Sequence, residues 1–298
     1  MKILITGHKG FVGSHLFNAL SSLKKHEIIG WDLPEKNLAM GCASEILNIK
    51  PDAIVHLAAM MPGSPMEKDV SMLSANGILT NEILNAASHL DRPPVVILAC
   101  TAAQYGYAHP HEQPIRESQA FQPASLYAVS KCAADLLGCC YHLAHGVPVV
   151  RLRFFGIIGP GQSADFVISG WASKIVQIEN KTRPPIIRIG DLGLVRDFIH
   201  VSDAVKAIAM AVDSAVPGNA YNVCSGRGVK LKKVLGTLFE LSKEKGIKIE
   251  HDPSMGSGSE PEQIVGNPSK FCLQTGWKPK IELKAALEGI LKWWRNKK

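Results

Sequence analysis

A chain of 298 residues, 46% hydrophobic, with 33 basic against 26 acidic side chains and a formal charge of +7, can bury one large core or two modest ones. No apolar run approaches the roughly 20 residues of a membrane-spanning helix, so no membrane partner is expected. Basic residues are scattered apart from Lys232-Lys233 and Arg295-Asn296-Lys297-Lys298. This is not the basic stripe of a nucleic-acid interface, and an anionic small substrate accounts for the mild excess. Seven cysteines without a CxxC motif argue for reduced thiols, and a strand begins at residue 2 with no room for a signal peptide. A cytoplasmic protein is expected. The eleven histidines have no acidic or cysteine partner at metal-ligand spacing, so no metal is expected.

Lys2-Ile3-Leu4-Ile5 reads as a buried strand. Thr6-Gly7-His8-Lys9-Gly10-Phe11-Val12-Gly13 follows, and Ser14–Leu20 continues as an amphipathic helix. Strand, glycine turn and helix start form a dinucleotide-binding arrangement. The glycines allow close backbone approach, and the helix N-terminus offers free N–H groups to a pyrophosphate. The spacing here is GxxGxxG, a variant of the more familiar GxGxxG.

Glu27–Trp31 reads as the second strand, and Asp32 stands at its end. A carboxylate there can accept from the adenosine ribose hydroxyls and repels a 2′-phosphate. NAD(H) is therefore favoured; the nearby Lys36 leaves NADP(H) open. Only one helix fits between Asp32 and Ala53, so a strand usual in this architecture is missing or very short. Ala53–Leu57 is a strand running into Ala58-Ala59, 70–88 is helical, and Val95–Ala99 is the next strand. Thr101 lies beyond that strand's carboxyl end, placed either to cap the turn or to hydrogen-bond a substrate oxygen.

Tyr127 and Lys131 stand one turn apart on a helix running to about Ala144, so ammonium and phenol share a face. A free phenol titrates near pH 10, and a neighbouring cation is expected to lower that value enough for proton transfer near neutrality. Beside a redox cofactor, the pair becomes a proton-delivery device. Val147–Phe155 reads as the following strand. The alternation predicts a doubly wound parallel sheet with ligands at the carboxyl ends of its strands. Met255-Gly256-Ser257-Gly258-Ser259 reads as a loop.

The motifs TGHKGFVG, HLAA (56–59), TAAQYG (101–106), YAVSK (127–131) and VRDFIHVSD (195–203) resemble, in order and over essentially the whole chain, the extended short-chain dehydrogenase/reductase superfamily. The resemblance implies a Rossmann-like domain over 1–158 plus roughly 195–215. A smaller C-terminal α/β domain, 159–194 and 216–298, would bind a nucleotide-diphosphate sugar. It implies Thr101, Tyr127 and Lys131 as the catalytic trio. Gly7, Gly10, Phe11, Val12, Gly13, Asp32, Leu57, Ala58, Tyr127, Lys131 and Phe154 would hold the cofactor; Thr101, Gln162 and Arg196 would touch substrate. Members commonly pair through the helix bearing Tyr and Lys, which implies a homodimer.

The later segments GPGQ (159–162), DFV (165–167), IGD (189–191), YNVCSG (221–226) and GWKP (276–279) resemble the GDP-4-keto-6-deoxy-D-mannose reductases, which form GDP-D-rhamnose. Ala102 and Ala103 stand where related dehydratases carry an Asp-Glu pair, so dehydration is not expected. Two departures concern the substrate's phosphates. Gly156 replaces an asparagine usual in the family, and the loop over 254–262 lacks arginines. Met60-Met61-Pro62-Gly63-Ser64 is also atypical and would reshape the sugar end. A nucleotide-sugar 4-epimerase shares the same catalytic residues, and a non-enzymatic dinucleotide sensor is the alternative from another class.

Overall fold

A computed structural model describes residues 1–32, 42–61, 72–255 and 261–297. Lys36, Pro62-Gly63-Ser64, residues 70–71 and 256–260 lie outside the described residues. In chain order the first half contains β1 (Lys2–Thr6), α1 (Phe11–Leu23), β2 (Glu27–Trp31), α2 (Ala43–Ile49) and β3 (Ala53–His56). Then come α3 (Met72–Ser88), β4 (Val95–Thr101), α4 (Leu126–His145) and β5 (Val149–Phe154). The second half adds β6 (Gly156–Ile158), α5 (Val167–Glu179), β7 (Ile186–Ile189), β8 (Val195–His200), α6 (Val201–Ser214) and β9 (Ala220–Val223). It closes with β10 (Gly228–Lys230), α7 (Leu231–Leu241), β11 (Lys248–His251), β12 (Gln263–Ile264), α8 (Ser269–Thr275) and α9 (Leu283–Asn296).

Strands β2-β1-β3-β4-β5-β9 form one sheet, every pairing parallel. Such a sheet is buried on both faces, and the strand sequences show why. Ile3, Ile5, Val55 and Leu152 pack with Leu16 and Leu20 of α1 and Ala204 and Ile208 of α6. Leu4, Ile54, Val96 and Leu98 pack the other way, with Ile46 of α2 and Ile83 and Leu84 of α3. Period-two alternation along uniformly apolar strands thus feeds two helical layers. Chain order reverses between β1 and β3, which opens a ligand crevice at their carboxyl ends. Among the described residues β2 is the sheet edge, in line with the strand expected to be missing or short.

The strand read over 147–155 is two strands. β5 stays in the large sheet, and after Phe155 the chain enters β6, which pairs with β8 in a smaller sheet, β10-β8-β12. β7 pairs with β11 in a third. A separate core of Trp171, Ile175, Leu235, Leu238, Leu287 and Leu291 joins α5, α7 and α9. The chain returns through α6 to β9, so the C-terminal segment contributes one strand to the nucleotide-side sheet.

Candidate active site

The glycine turn is set by backbone contact. Gly7 has φ +74, and a Cβ on it would lie 2.7 Å from the Ala58 nitrogen. A Cβ on Gly13 would lie 2.0 Å from the Gly7 carbonyl oxygen. Only glycine fits either position. The turn therefore lies flat against the end of β3, with Gly10, Phe11 and Val12 opening α1 beside it. Leu57 donates its N–H to the Thr6 carbonyl at 3.1 Å, and Ala58 donates to the Thr6 hydroxyl at 3.3 Å. Asp32 accepts the Lys9 N–H at 2.8 Å, so its carboxylate sits at the mouth of the turn. The crowded cradle, the exposed helix start and the carboxylate at the β2 end suit a dinucleotide.

α4 begins where Ser125 accepts the Ala128 N–H at 3.2 Å, an N-cap that fixes the register of the next turn. Lys131 is 6% exposed, and Asp135, one turn further on the same face, is fully buried. Asp135 receives Arg151 at 2.8 Å and Arg153 at 2.8 and 3.0 Å, locking α4 to β5. Burial opposes its charge, yet the two guanidinium groups prevail and hold its carboxyl below the usual range. Arg153 also reaches the Tyr105 hydroxyl, which donates to Asn222 of β9 at 2.7 Å. The face carrying Tyr127 and Lys131 is thus fixed over the carboxyl end of β4.

The expected lowering of the Tyr127 phenol is not found. Burial, reinforced by the neighbouring Cys100, pushes it up to about 12. Burial likewise pulls the Lys131 ammonium down. Both charged forms are penalised because both side chains leave water. Tyr127 therefore holds its proton firmly across the physiological range, which suits it to donate.

Thr101 belongs to the same cluster through Cys100, whose thiol Lys131 influences. Its hydroxyl accepts the Ala103 N–H at 3.3 Å, while Gln104 accepts the Thr101 N–H at 2.9 Å. The cap and the position at the strand end coexist. In the register of β4 and β5, Thr101 lies opposite Phe154, which is 7% exposed.

Sequence reasoning missed a buried polar chain beneath these residues. Ala58 N–H donates to Thr6 Oγ1, which contacts His56 Nδ1 at 2.7 Å; His56 Nε2 contacts Thr80 Oγ1 at 3.3 Å, and Thr80 donates to the Asn76 carbonyl at 2.9 Å. One assignment satisfies the series, with His56 neutral and its proton on Nε2. Burial, with the nearby Lys131 charge, lowers His56 to about 3. The signal available in sequence was a histidine ending an apolar strand and an asparagine on the buried face of a helix.

The substrate-side residues are placed differently. Gln162 is 5% exposed and donates to the Ile157 carbonyl at 2.9 Å, turned back onto β6. Arg196 donates from one guanidinium nitrogen to the carbonyls of Val195, Pro261 and Glu262, which ties β8 to the segment before β12. Gly156 has a physical reason: a Cβ there would lie 2.7 Å from the Phe198 ring and 2.9 Å from the Asp197 carbonyl oxygen. The Phe198 ring occupies the space that a larger side chain would need.

Residues 3–224 match the model of the NAD dependent epimerase/dehydratase family. GDP-6-deoxy-D-mannose reductase of Pseudomonas aeruginosa is 28% identical, over 99% of this chain and 98% of the relative. GDP-6-deoxy-D-talose 4-dehydrogenase of Aggregatibacter actinomycetemcomitans is 30% identical, over 91% of this chain and 90% of the relative. The structure of RMD from Pseudomonas aeruginosa complexed with NADPH superposes with a TM-score of 0.88 at 27% identity, covering 99% of this chain and 98% of the other. The chain belongs to the NAD-dependent epimerase/dehydratase family. Within it, the protein is an NAD(P)-dependent oxidoreductase of the extended short-chain dehydrogenase/reductase type. No helix among the described residues is long and apolar enough to cross a membrane.

Proposed function

We propose that this chain reduces the C4 keto group of a nucleotide-diphosphate sugar with NADH, converting GDP-4-keto-6-deoxy-D-mannose to GDP-D-rhamnose. The observation that carries the reading is Tyr127, a buried phenol kept protonated beside a buried lysine, at the strand end where Thr101 stands. The two relatives named for GDP-6-deoxyhexoses support the base and the sugar.

A nicotinamide bound over the sheet would supply the hydride. Tyr127 hands its proton to the C4 oxygen as that oxygen gains charge, and Lys131 stabilises the phenolate that results. Thr101 donates to the same oxygen. Gly7, Gly10, Phe11, Val12 and Gly13 cradle the pyrophosphate, Asp32 takes the adenosine ribose, and Leu57, Ala58 and Phe154 flank the crevice. Repulsion of a 2′-phosphate by Asp32 favours NADH over NADPH. Residues 1–158 and roughly 195–215, with β9 added, hold the cofactor; 159–194 and the rest of the C-terminal half, with Arg196 and Gln162, hold the nucleotide sugar. Ala102 and Ala103 offer no acid or base for dehydration.

The exposed face of α4 carries Val129, Ala133, Leu136, Cys140 and Leu143 at alternating spacings of four and three, with Leu136 58% and Leu143 78% exposed. Such a stripe suits a second copy of the chain, giving a homodimer. Sedimentation of the Leu136→Glu/Leu143→Glu protein should then show monomer.

The deciding experiment is incubation of GDP-4-keto-6-deoxy-D-mannose with stoichiometric NADH. One NADH oxidised per sugar reduced is expected. Isomerisation of a nucleotide sugar without net NADH oxidation would instead indicate a 4-epimerase, and binding without turnover a sensor.

A further inference from the structure

We propose that Met60, clamped by Asn76, is the specificity-determining wall at the C6 end of the sugar, and that it selects a 6-deoxy sugar over one with a hydroxyl at C6. This role rests on the reading of the reaction given above.

Asn76 is 3% exposed and uses its amide at both ends of one residue. Its Oδ1 accepts the Met60 N–H at 2.7 Å, and its Nδ2 donates to the Met60 carbonyl at 3.1 Å. The same Nδ2 donates to Ser130 Oγ at 2.9 Å, and Ser130 donates to the Tyr127 carbonyl at 2.8 Å. One side chain therefore ties Met60 to the turn of α4 that presents the proton donor. The distance between Met60 and Tyr127 is set by a continuous run of hydrogen bonds.

The clamp also determines what Met60 can offer a ligand. Its backbone donor and acceptor are both engaged, which leaves the thioether side chain of a half-buried residue. The surroundings repeat that chemistry. β3 and β4 pair with His56 opposite Leu98, and carrying that register forward sets Ala58, Ala59 and Met60 alongside Cys100, Thr101 and Ala102. Apart from Thr101 and Tyr127, assigned to the C4 oxygen, the side chains at these two strand ends are Ala, Met or a buried thiol. C6 is two bonds from C4, so it must lie against this wall whenever the C4 oxygen lies against Tyr127. A methyl group packs there, whereas a hydroxyl would lose its water without gaining a partner. An apolar pocket meeting one extra hydroxyl discriminates by about 10- to 100-fold.

The test runs the reaction in reverse. The protein, with NAD+, is given GDP-6-deoxy-D-mannose or GDP-D-mannose, and kcat/KM is measured for oxidation at C4. The wild type should prefer the deoxy sugar by about 10- to 100-fold. Met60→Gln, similar in size but able to hydrogen-bond the hydroxyl, should bring the two within about threefold, and Met60→Leu should keep the preference. Asn76→Ala, which frees both Met60 and Ser130, should narrow the ratio and lower kcat together. NADH binding and a thermal melt establish that each variant is folded; Met60→Ser, also polar and smaller, serves if Met60→Gln is not. An unchanged ratio in a folded polar variant, or no preference in the wild type, overturns the role of Met60 and leaves the reductase reading standing. Oxidation of neither sugar by wild-type protein that binds NAD+ overturns the reading of the reaction, and the role of Met60 with it.

Discussion

The cofactor turn and the substrate strands use glycine for opposite ends. At Gly7 and Gly13 the absent side chain lets two backbone segments meet, and the contact atoms are main-chain nitrogen and oxygen. At Gly156 the absent side chain makes way for another residue's ring, that of Phe198. Geometry of the first kind is fixed by the chain's own path and repeats wherever that path repeats. The second kind depends on a partner more than 40 residues away, so it can change whenever the partner changes. The cofactor side of this enzyme is therefore conservative in construction, while the substrate side is free to diverge.

That contrast can be broken or sharpened experimentally. The largest effect is expected at the shared boundary: Tyr127→Phe should lower turnover by about 10²–10⁴-fold, the range for loss of a positioned general acid. NADH affinity should stay within about threefold, read by nucleotide fluorescence. A near-wild-type rate would remove Tyr127 from the mechanism.

His56 comes next. Its folded value, about 3, lies below the ordinary 6.5, so the unfolded chain binds more protons between those values. Stability from this group is fully present above about pH 6.5 and is lost as pH falls toward 3. The total is up to about 4–5 kcal/mol, since each tenfold loss of proton affinity on folding corresponds to about 1.4 kcal/mol. Urea unfolding across that window should show a shallower acid limb in His56→Gln; an identical limb would assign acid sensitivity elsewhere.

Gly13→Ala should then cost about 1–3 kcal/mol of stability, as overpacking does, and weaken NADH binding at least tenfold. The smallest effect belongs to the substrate side. Gly156→Ala should cost about 1 kcal/mol in the wild type and less in a Phe198→Leu background, because the obstacle is a side chain that can be cut back. Equal penalties in the two backgrounds would mean that the Asp197 carbonyl, not the ring, excludes a side chain.

The same division explains what could be read from sequence. The parallel sheet, the glycine turn and the helix of Tyr127 were legible because apolar strands, glycine spacing and an i, i+4 pair are local patterns. The split of 147–155 into β5 and β6 was not, since Gly156 leaves the large sheet only by virtue of its pairing with Phe198 in β8. Nor was the phenol's raised value: neighbours in sequence suggested a helpful cation, while the dominant influence was burial by the whole fold. The chain from Thr6 through His56 and Thr80 to Asn76 joins three elements, and no single stretch of sequence displays it.

The cap at Thr101 has one more consequence. Because its oxygen already receives the Ala103 N–H, the hydroxyl's polarity is oriented before any ligand arrives, with the hydrogen left to point outward. Replacement by serine should preserve that orientation, whereas valine should remove the turn's fastening and the outward hydrogen in a single step. Thermal stability and reaction rate are thus coupled at this position: any variant that silences Thr101 chemically also loosens the end of the strand that carries it.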